Sequence, residues 1–294
     1  MPELPEVETV RRGLNQLTLR QTIQTVIIHL ERTVAYPTAS DDFCAGLSGG
    51  AIAQWHRRGK YLIAELKAPQ PSAPNSSSTN AQDLPKGWLG VHLRMTGQLL
   101  WMDRKEPIQK HCRVRLLFSG DKELRFVDQR TFGRMWWVPP DKTQAEVITG
   151  LQRLGPEPLS SHFSLAYFKQ ALKRRHKPIK NALLDQAIVA GIGNIYADES
   201  LFLSKIRPTT FCDQISDRHL KTLHASIIEV LETSIMEGGT TFSDFRDIKG
   251  INGNYGQVAW VYGRTGEPCK TCEMPIERLK LAGRSTHFCP RCQQ

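Results

Sequence analysis

Hydrophobic residues recur at three- and four-residue steps near the start of the chain, where Val7, Val10, Leu14 and Leu17 share one face. This period is typical of an amphipathic helix, and glutamates in the first turn favour its N-terminal end. The pattern predicts a helix from about residue 5 to residue 17.

The pattern then changes to short segments rich in Val, Ile, Leu and aromatic residues, separated by turn signals, which is typical of β-strands. The predicted strands are 22–30, 51–56, 61–66, 88–93, 98–102, 113–118, 123–127 and 134–138. This number of strands predicts a two-layer β-sandwich. Residues 69–85 are rich in Pro and Ser and too polar to pack, so they are interpreted as a mobile hairpin insertion.

Helical spacing returns from about residue 141. Ser164 is a candidate N-cap for one helix, and Ser216 or Asp217 for a longer helix that stops at Gly238. The C-terminal half is therefore predicted to be helical.

A glycine-rich double turn at 190–193 separates residues 178–186 from a predicted helix at 194–205. Two helices joined in this way form a possible clamp for a DNA backbone. Asn194 begins the second helix, where it could be only an N-cap or could cap the helix and contact a phosphate together.

Charge narrows the choice of partner. The chain has 294 residues, with 39 Lys and Arg against 29 Asp and Glu, which gives a net charge of +10. Such an excess favours a polyanion such as nucleic acid. The first twenty residues carry charges and no apolar core, so we expect no secretory signal, and no stretch is long enough for a membrane span. We therefore expect a cytoplasmic protein.

Four of the seven cysteines form two CxxC pairs near the C-terminus, Cys269 with Cys272 and Cys289 with Cys292. Two such pairs separated by 16 residues are typical of a four-cysteine zinc ribbon built on a β-hairpin. Four thiolates leave no open coordination position, so we predict one structural Zn²⁺. The redox interpretation of CxxC needs a thioredoxin-like setting, which is absent from the sequence pattern. The cations predicted to face a polyanion are Arg278, Lys280, Arg284 and His287.

Pro2 follows the initiator methionine directly. We expect removal of Met1, which would leave a secondary amine as the chain terminus. Such an amine is a nucleophile that forms a permanently charged iminium ion with a carbonyl-like carbon. The alternative is that proline only begins the first helix.

These features together resemble the bacterial formamidopyrimidine-DNA glycosylases, which repair oxidised guanine. The resemblance covers nearly the whole chain apart from 69–85. Its carriers are Pro2-Glu3-Leu4-Pro5-Glu6-Val7-Glu8-Thr9, Arg57-Arg58-Gly59-Lys60-Tyr61-Leu62, His92-Leu93-Arg94-Met95-Thr96-Gly97, Asp128-Gln129-Arg130-Thr131-Phe132-Gly133, Gly191-Ile192-Gly193-Asn194-Ile195-Tyr196, Gly238-Gly239-Thr240-Thr241 and the ribbon with Arg284.

The resemblance implies an α+β fold: an N-terminal helix and two-layer β-sandwich domain at 1–138, a helix-two-turn-helix domain at 141–262, and a zinc ribbon at 263–294. A lesion-capture loop is expected at about 240–258, although the chain has Ile251-Asn-Gly-Asn-Tyr255 where the family commonly has a Pro-Gly-aromatic pattern. Duplex DNA would lie across the cleft, with the damaged nucleotide flipped out.

The resemblance also implies catalytic roles. The Pro2 amine would attack the sugar C1′ and form a Schiff base, and Glu3 would protonate the opening sugar. Lys60, which follows two arginines on a strand, would donate a proton during β-elimination. Arg284 would assist δ-elimination, chiefly through its charge, because arginine rarely releases a proton. The alternatives are a first-turn helix partner for Glu3 and a solvated charge for Lys60.

Six further residues are implied to contact DNA. Three of them would fill the void left by the flipped nucleotide, with the arginine among them facing the orphaned cytosine. The void-filling residues are Met95, Arg130 and Phe132, and the further contacts are His111, Arg175 and Asn194. Without the family motif, Met95 and Phe132 would be interpreted as core residues, and Arg175 as part of a solvated basic helix end.

The expected partner is double-stranded DNA containing oxidised purines, bound by a monomer without membrane contact. Two other interpretations remain. An endonuclease VIII-type enzyme would share the amine chemistry but prefer oxidised pyrimidines. A non-catalytic zinc-ribbon protein would bind DNA but would leave Pro2 and Lys60 without a purpose.

Overall fold

The computed structural model describes residues 1–68, 84–240 and 247–294, which form two compact units. The first unit contains Met1–Pro2, Glu6–Gln152 and also residues 247–253. The second contains Glu3–Pro5 and the rest of the described C-terminal half. The predicted insertion lies outside the described residues except for its last two positions, as does the 241–246 part of the expected capture loop. The three-part domain division stays a prediction.

The first unit contains most of the β-structure. Its helices are α1 (Leu4–Leu17, whose first two residues belong to the second unit), α2 (Ser40–Leu47) and α3 (Gln144–Val147), and its strands are β1 (Ile23–Ile28), β2 (Val34–Tyr36), β3 (Ala51–Arg58), β4 (Tyr61–Lys67), β5 (Pro85–His92), β6 (Gly97–Asp103), β7 (Cys112–Phe118), β8 (Lys122–Asp128) and β9 (Arg134–Val138). All eight predicted strands are confirmed.

These strands form a sandwich of two sheets, as predicted. Among the described residues, one sheet has the order β1-β7-β8-β6 and the other the order β2-β9-β5-β4-β3. Their inner faces share a core that includes Trp55, Leu62, Val114 and Phe126, and Val7, Val10 and Leu14 of α1 pack into the same core. The apolar face predicted for α1 is therefore the face that is buried.

Two local differences from the sequence pattern occur in this unit. Pro85 already belongs to β5 and pairs with Lys67, so the strand begins within the segment predicted to be an insertion. Neither β2 nor α2 was predicted. The strand β2 has only three residues, and α2 lacks a side-chain cap hydrogen bond, so neither has a strong sequence signal.

The second unit is mainly helical. Its remaining elements are α4 (Leu165–Lys173), α5 (Ile179–Leu183), α6 (Asn194–Leu203), α7 (Asp217–Met236), α8 (Tyr255–Val258), β10 (Glu277–Leu281) and β11 (Arg284–Phe288). Two predicted caps are confirmed: the Ser164 hydroxyl accepts from Tyr167 N, and the Ser216 hydroxyl accepts from His219 N.

One buried carboxylate fixes the chain after α8. Glu199 of α6 accepts hydrogen bonds from the backbone N–H groups of Trp260, Val261 and Tyr262, at 2.8–2.9 Å. These bonds attach the segment that leads into the β10–β11 hairpin to α6. Among the described residues, no helix combines the length and apolar composition needed to cross a membrane.

Candidate functional site

The Glu3 carboxylate occupies the N-terminus of α6. Its oxygens accept from Ile195 N at 2.9 Å and from Tyr196 N at 3.4 Å, and only 2% of the residue is exposed. Because α6 begins at Asn194, these are donors of its first turn, which have no partner within the helix. Glu3 is therefore not a first-turn residue of α1 but the capping group of a helix nearly 200 positions later.

Two glycines let the N-terminal residues approach this helix. A Cβ atom on Gly193 would lie 2.3 Å from the Glu3 Cδ and 2.4 Å from its Oε1. Gly191 has φ +90°, and its carbonyl accepts from Leu4 N at 3.0 Å. The double turn predicted from the sequence therefore leaves space for the residues next to Pro2.

Asn194 does not cap α6. The N-cap residue is Gly193, and the Asn194 amide instead donates to the Ser285 carbonyl at 2.9 Å. The interpretation of Asn194 as an N-cap is wrong, because the Glu3 carboxylate already occupies that position. The bond to Ser285 connects α6 to the strand that begins at Arg284.

The predicted zinc hairpin is present, and Arg284 lies at its tip. Leu281 and Arg284 form the last pair of the β10–β11 ladder, and Ala282 and Gly283 between them have positive φ, as in a two-residue hairpin turn. Arg284 is exposed. His287, by contrast, is buried, with its N–H bonded to Asp198 at 2.9 Å, so the prediction that it faces a polyanion is wrong.

A buried ion pair supports this hairpin. The Lys180 Nζ lies 2.6 Å from Asp198 Oδ1 and donates to the Ser285 carbonyl and the Thr286 hydroxyl, each at 2.9 Å. Burial lowers the Lys180 pKa, whereas the charges of Asp198 and Glu3 oppose that shift. Neither residue was predicted from the sequence, because a lysine and an aspartate on separate helices carry no spacing signal.

Four cysteine sulfurs form the predicted metal-binding cluster. Their Sγ atoms all lie within 4.8 Å of one another, with 3.9 Å between Cys269 and Cys292 and 3.4 Å between Cys272 and Cys289. Tetrahedral zinc with Zn–S bonds of about 2.3 Å requires S···S distances of about 3.8 Å. The cluster therefore fits one structural zinc ion.

Lys60 lies in the first unit. It occupies the two-residue turn between β3 and β4, after Gly59 at φ +55°, and only 7% of it is exposed. The two arginines before Lys60 lie on β3, and the burial of Lys60 shows that the alternative of a solvated charge is wrong. Burial, followed by the charges of Arg94 and Lys60, lowers the pKa of neighbouring His92 to about 3.

The residues predicted to fill the DNA void lie on two neighbouring loops of the first unit. Met95 is 39% exposed and Phe132 is 49% exposed, so neither is a core residue. The Arg130 guanidinium lies 5.0 Å from the centre of the Phe132 ring, which is a cation–π contact. His111 lies before β7, where Arg113 Nη2 is 3.1 Å from its Nδ1.

Arg175 lies after α4 in the second unit, and its guanidinium is 3.4 Å from the Asp185 carboxylate. The predicted residues thus fall into two groups. Pro2, Lys60, Met95, His111, Arg130 and Phe132 belong to the first unit, and Glu3, Arg175, Asn194, Arg284 and the four cysteines belong to the second.

In chemical terms, the second unit fixes the carboxylate of Glu3, the residue after Pro2, and presents an exposed guanidinium on a zinc-type hairpin. The first unit exposes apolar and cationic side chains together. Exposed cations of this kind are suited to contact a polyanion.

Family models match most of the chain. The formamidopyrimidine-DNA glycosylase N-terminal domain matches residues 1–135, the formamidopyrimidine-DNA glycosylase H2TH domain matches 154–246, and the zinc finger found in FPG and IleRS matches 266–294.

Full-length relatives agree with these matches. A formamidopyrimidine-DNA glycosylase of Trichodesmium erythraeum (strain IMS101) is 58% identical, with all of both chains covered. A crystal structure of a Lactococcus lactis FPG variant with Fapy-dG-containing DNA has a TM-score of 0.87 at 36% identity and covers both chains fully. A complex of Lactococcus lactis Fpg with abasic-site DNA has a TM-score of 0.86 at 36% identity, with 99% of each chain covered.

Proposed function

The chain belongs to the formamidopyrimidine-DNA glycosylase family of base-excision repair glycosylases with AP lyase activity, and from that membership we propose a mechanism centred on its N-terminal proline. The substrate is duplex DNA containing oxidised purines such as 8-oxoguanine and formamidopyrimidines. The observation that carries the proposal is the Glu3 carboxylate, held by two backbone N–H groups directly beside Pro2.

The first step is displacement of the damaged base. In the chain without Met1, the lone pair of the Pro2 nitrogen attacks the sugar C1′. The bond between C1′ and the base breaks, and its electron pair leaves with the base, which takes up a proton. Glu3 then donates a proton to the ring oxygen O4′ as the sugar opens, which produces the iminium ion between Pro2 and C1′.

Strand cleavage follows from the iminium ion, which accepts electrons. Loss of a C2′ proton expels the 3′-phosphate, and a second elimination expels the 5′-phosphate. Lys60 is assigned the proton transfers of the β-step, and Arg284 stabilises the phosphate that leaves in the δ-step. Water finally releases the sugar fragment and restores the amine of Pro2.

Six residues are assigned to hold the DNA. Phosphate contacts come from the second unit and from His111, and Met95, Arg130 and Phe132 occupy the void after nucleotide flipping. The exposure of Met95 and Phe132 supports this assignment. An exposed apolar side chain can stack on a base, and the neighbouring Arg130 cation can lie close to the phosphate backbone. We assign the protein to the cytoplasm, where it works on the chromosome as a monomer.

Covalent trapping tests the proposal. With borohydride and a duplex containing 8-oxoguanine opposite cytosine, the iminium ion is reduced to a stable protein–DNA adduct. A Gly-Ser extension before Pro2 converts its nitrogen to an amide and should abolish the adduct while leaving affinity for a tetrahydrofuran-containing duplex unchanged. The matched control carries the same extension after Gln294. Intact mass must first show that Met1 is absent.

The same assay separates the alternatives. DNA binding without any adduct would favour the non-catalytic zinc-ribbon protein. Faster excision of thymine glycol than of 8-oxoguanine would favour the endonuclease VIII type. Binding should also weaken with salt, with a slope of about −0.9 for each phosphate neutralised.

A pair of hairpin variants tests the δ-step. Arg284 and Lys280 are both exposed cations of the hairpin. Arg284→Ala should raise the proportion of β-elimination product over δ-elimination product, whereas Lys280→Ala should leave that proportion unchanged. Equal effects of the two substitutions would assign the hairpin a general electrostatic role instead.

A further inference from the structure

Asp128 connects the two loops that carry the proposed void-filling residues. It is the last residue of β8 and is 1% exposed. One carboxylate oxygen accepts from the Thr96 hydroxyl at 2.5 Å, and the other accepts from Gly133 N at 2.7 Å. The first bond reaches the turn after β5, and the second reaches the loop before β9.

Both loops pass from one sheet of the sandwich to the other. The turn at 93–96 connects β5 of the five-stranded sheet to β6 of the four-stranded sheet, and the loop at 129–133 connects β8 to β9 in the opposite direction. Gly97 and Asp128 are paired across β6 and β8. The carboxylate therefore joins two sheet crossings at the place where they run side by side.

Thr96 extends the connection to Arg130. Its hydroxyl donates to Asp128 and also accepts from Arg130 N at 3.0 Å. This relay uses both the donor and the acceptor capacity of one hydroxyl group. The backbone position of Arg130 thus depends on Asp128 through Thr96.

The main chain of Asp128 reaches a third segment. Its N–H donates to the His111 carbonyl at 2.9 Å, and its carbonyl accepts from Arg113 Nε at 2.8 Å. All four residues of the first unit that we assign to DNA contact therefore lie on segments bonded to Asp128 or its immediate partner.

The loops need such support, because both contain residues in the left-handed region of φ. Arg94 has φ +55° and Thr131 has φ +59°, and neither is glycine. Such conformations are costly for residues with a Cβ and persist only when surrounding contacts hold them. On either side of these residues, Met95, Arg130 and Phe132 project from the loops.

We propose that Asp128 and Thr96 are positioning residues that fix the spacing of Met95, Arg130 and Phe132 before DNA binds; this inference rests on the proposed function. Three side chains that enter one gap in a base stack must arrive at a defined separation. Holding them in place in the free protein removes the ordering cost from the binding step. Asp128 and Thr96 contact no reacting atom in this scheme.

Thr96→Val tests the inference, because it keeps the shape of the side chain and removes the hydroxyl. Excision of 8-oxoguanine from a duplex should fall about tenfold, equivalent to about 1.4 kcal/mol of activation free energy. Borohydride trapping on single-stranded abasic DNA, which has no opposite base and no void, should stay within about twofold of wild type. Thr96→Ser, which retains the hydroxyl, should restore duplex excision.

The matched control is Thr25→Val, on an exposed position of β1. It should leave both activities and the melting temperature unchanged. Asp128→Asn is a second test of the inference. The asparagine amide cannot accept both the hydrogen bond from the Thr96 hydroxyl and the one from Gly133 N. It should lower duplex excision more than single-strand trapping.

Two results would overturn the inference: unchanged duplex excision in Thr96→Val, or an equal fall of both activities there and in Asp128→Asn. Failure of the proposed function gives a result that is distinct from failure of the positioning inference. In that case, the wild-type protein would form no borohydride adduct with either DNA. An adduct with wild type therefore validates the chemistry before the positioning role is judged.

Discussion

Gly193→Ala should displace the Glu3 carboxylate from the N-terminus of α6. Gly193 has φ −132° and ψ −158°, an extended conformation that alanine adopts without strain. The added methyl group would lie 2.4 Å from Glu3 Oε1, whereas ordinary contact begins at 3.4 Å. The substitution therefore acts through this one contact.

The size of the effect follows from the geometry. The carboxylate must retreat by about 1 Å, which would lengthen its 2.9 Å bond to Ile195 N beyond hydrogen-bonding range. Loss of a helix cap costs about 1 kcal/mol, which lowers the melting temperature by about 3 °C in a protein of this size. Misplacing a catalytic group by about 1 Å lowers the rate about 100-fold.

Single-turnover excision of 8-oxoguanine and the melting temperature should be measured together. The matched control is Gly120→Ala, where no atom of the described residues lies within 4 Å of the added methyl but φ is +70°. Left-handed strain there costs about 1 kcal/mol, so both variants should lose similar stability. Only Gly193→Ala should lose activity. An excision rate within twofold of wild type in Gly193→Ala would show that excision does not depend on the position of the Glu3 carboxylate at the N-terminus of α6.

Three further results are expected. Burial alone would raise the Glu8 pKa, but hydrogen bonds and charges from Arg11, Arg12 and Arg57 lower it from 4.5 to about 2; the carboxylate therefore stabilises the fold above pH 4.5, and this contribution is lost as pH falls towards 2. Urea unfolding of wild type should lose more free energy across that range than Glu8→Gln, and parallel curves would contradict the ion-pair explanation. His92, with its pKa lowered to about 3 by burial and by Arg94 and Lys60, should remain neutral at pH 5 in nitrogen-15 NMR spectra, with the proton on Nε2 because Nδ1 accepts from Arg94 N; a midpoint near 6.5 would exclude this. Cys289→Ser should release zinc, measured by metal analysis, and destabilise the ribbon; one retained zinc per chain would show that three thiolates suffice.

The period of hydrophobic residues in the sequence predicted the helices and strands that bury one regularly spaced apolar face. The eight strands are confirmed, and so is the face of α1 with Val7, Val10 and Leu14. In each of these elements, the hydrophobic residues recur at the spacing of the face that is buried. The zinc cluster was predicted from spacing alone, since two CxxC pairs place their sulfurs within reach of one ion. Short elements such as β2 depend on their neighbours and carry no period.

The site contacts that were missed are long-range. The residues Lys180 and Asp198 form an ion pair across two helices, and Asp128 meets Thr96 across two loops. A charged residue has the same appearance in sequence whether it is solvated or buried with a partner. This is why a solvated charge was an alternative for Lys60 and why His287 was predicted to face a polyanion. Only tertiary structure distinguishes these environments.

The hydrogen bond between Glu3 and Ile195 joins residues 192 positions apart in sequence. During synthesis, Glu3 is therefore made long before the helix that binds its carboxylate. At about 5–20 residues per second, a ribosome needs roughly 10 to 40 s to reach α6 after the first residues have been made. Throughout that interval, the N-terminal residues exist without α6, the helix that binds the Glu3 carboxylate. In the proposed mechanism, truncated translation products therefore contain the Pro2 nucleophile but lack the helix that binds the Glu3 carboxylate, so we expect only chains translated beyond this helix to cut DNA.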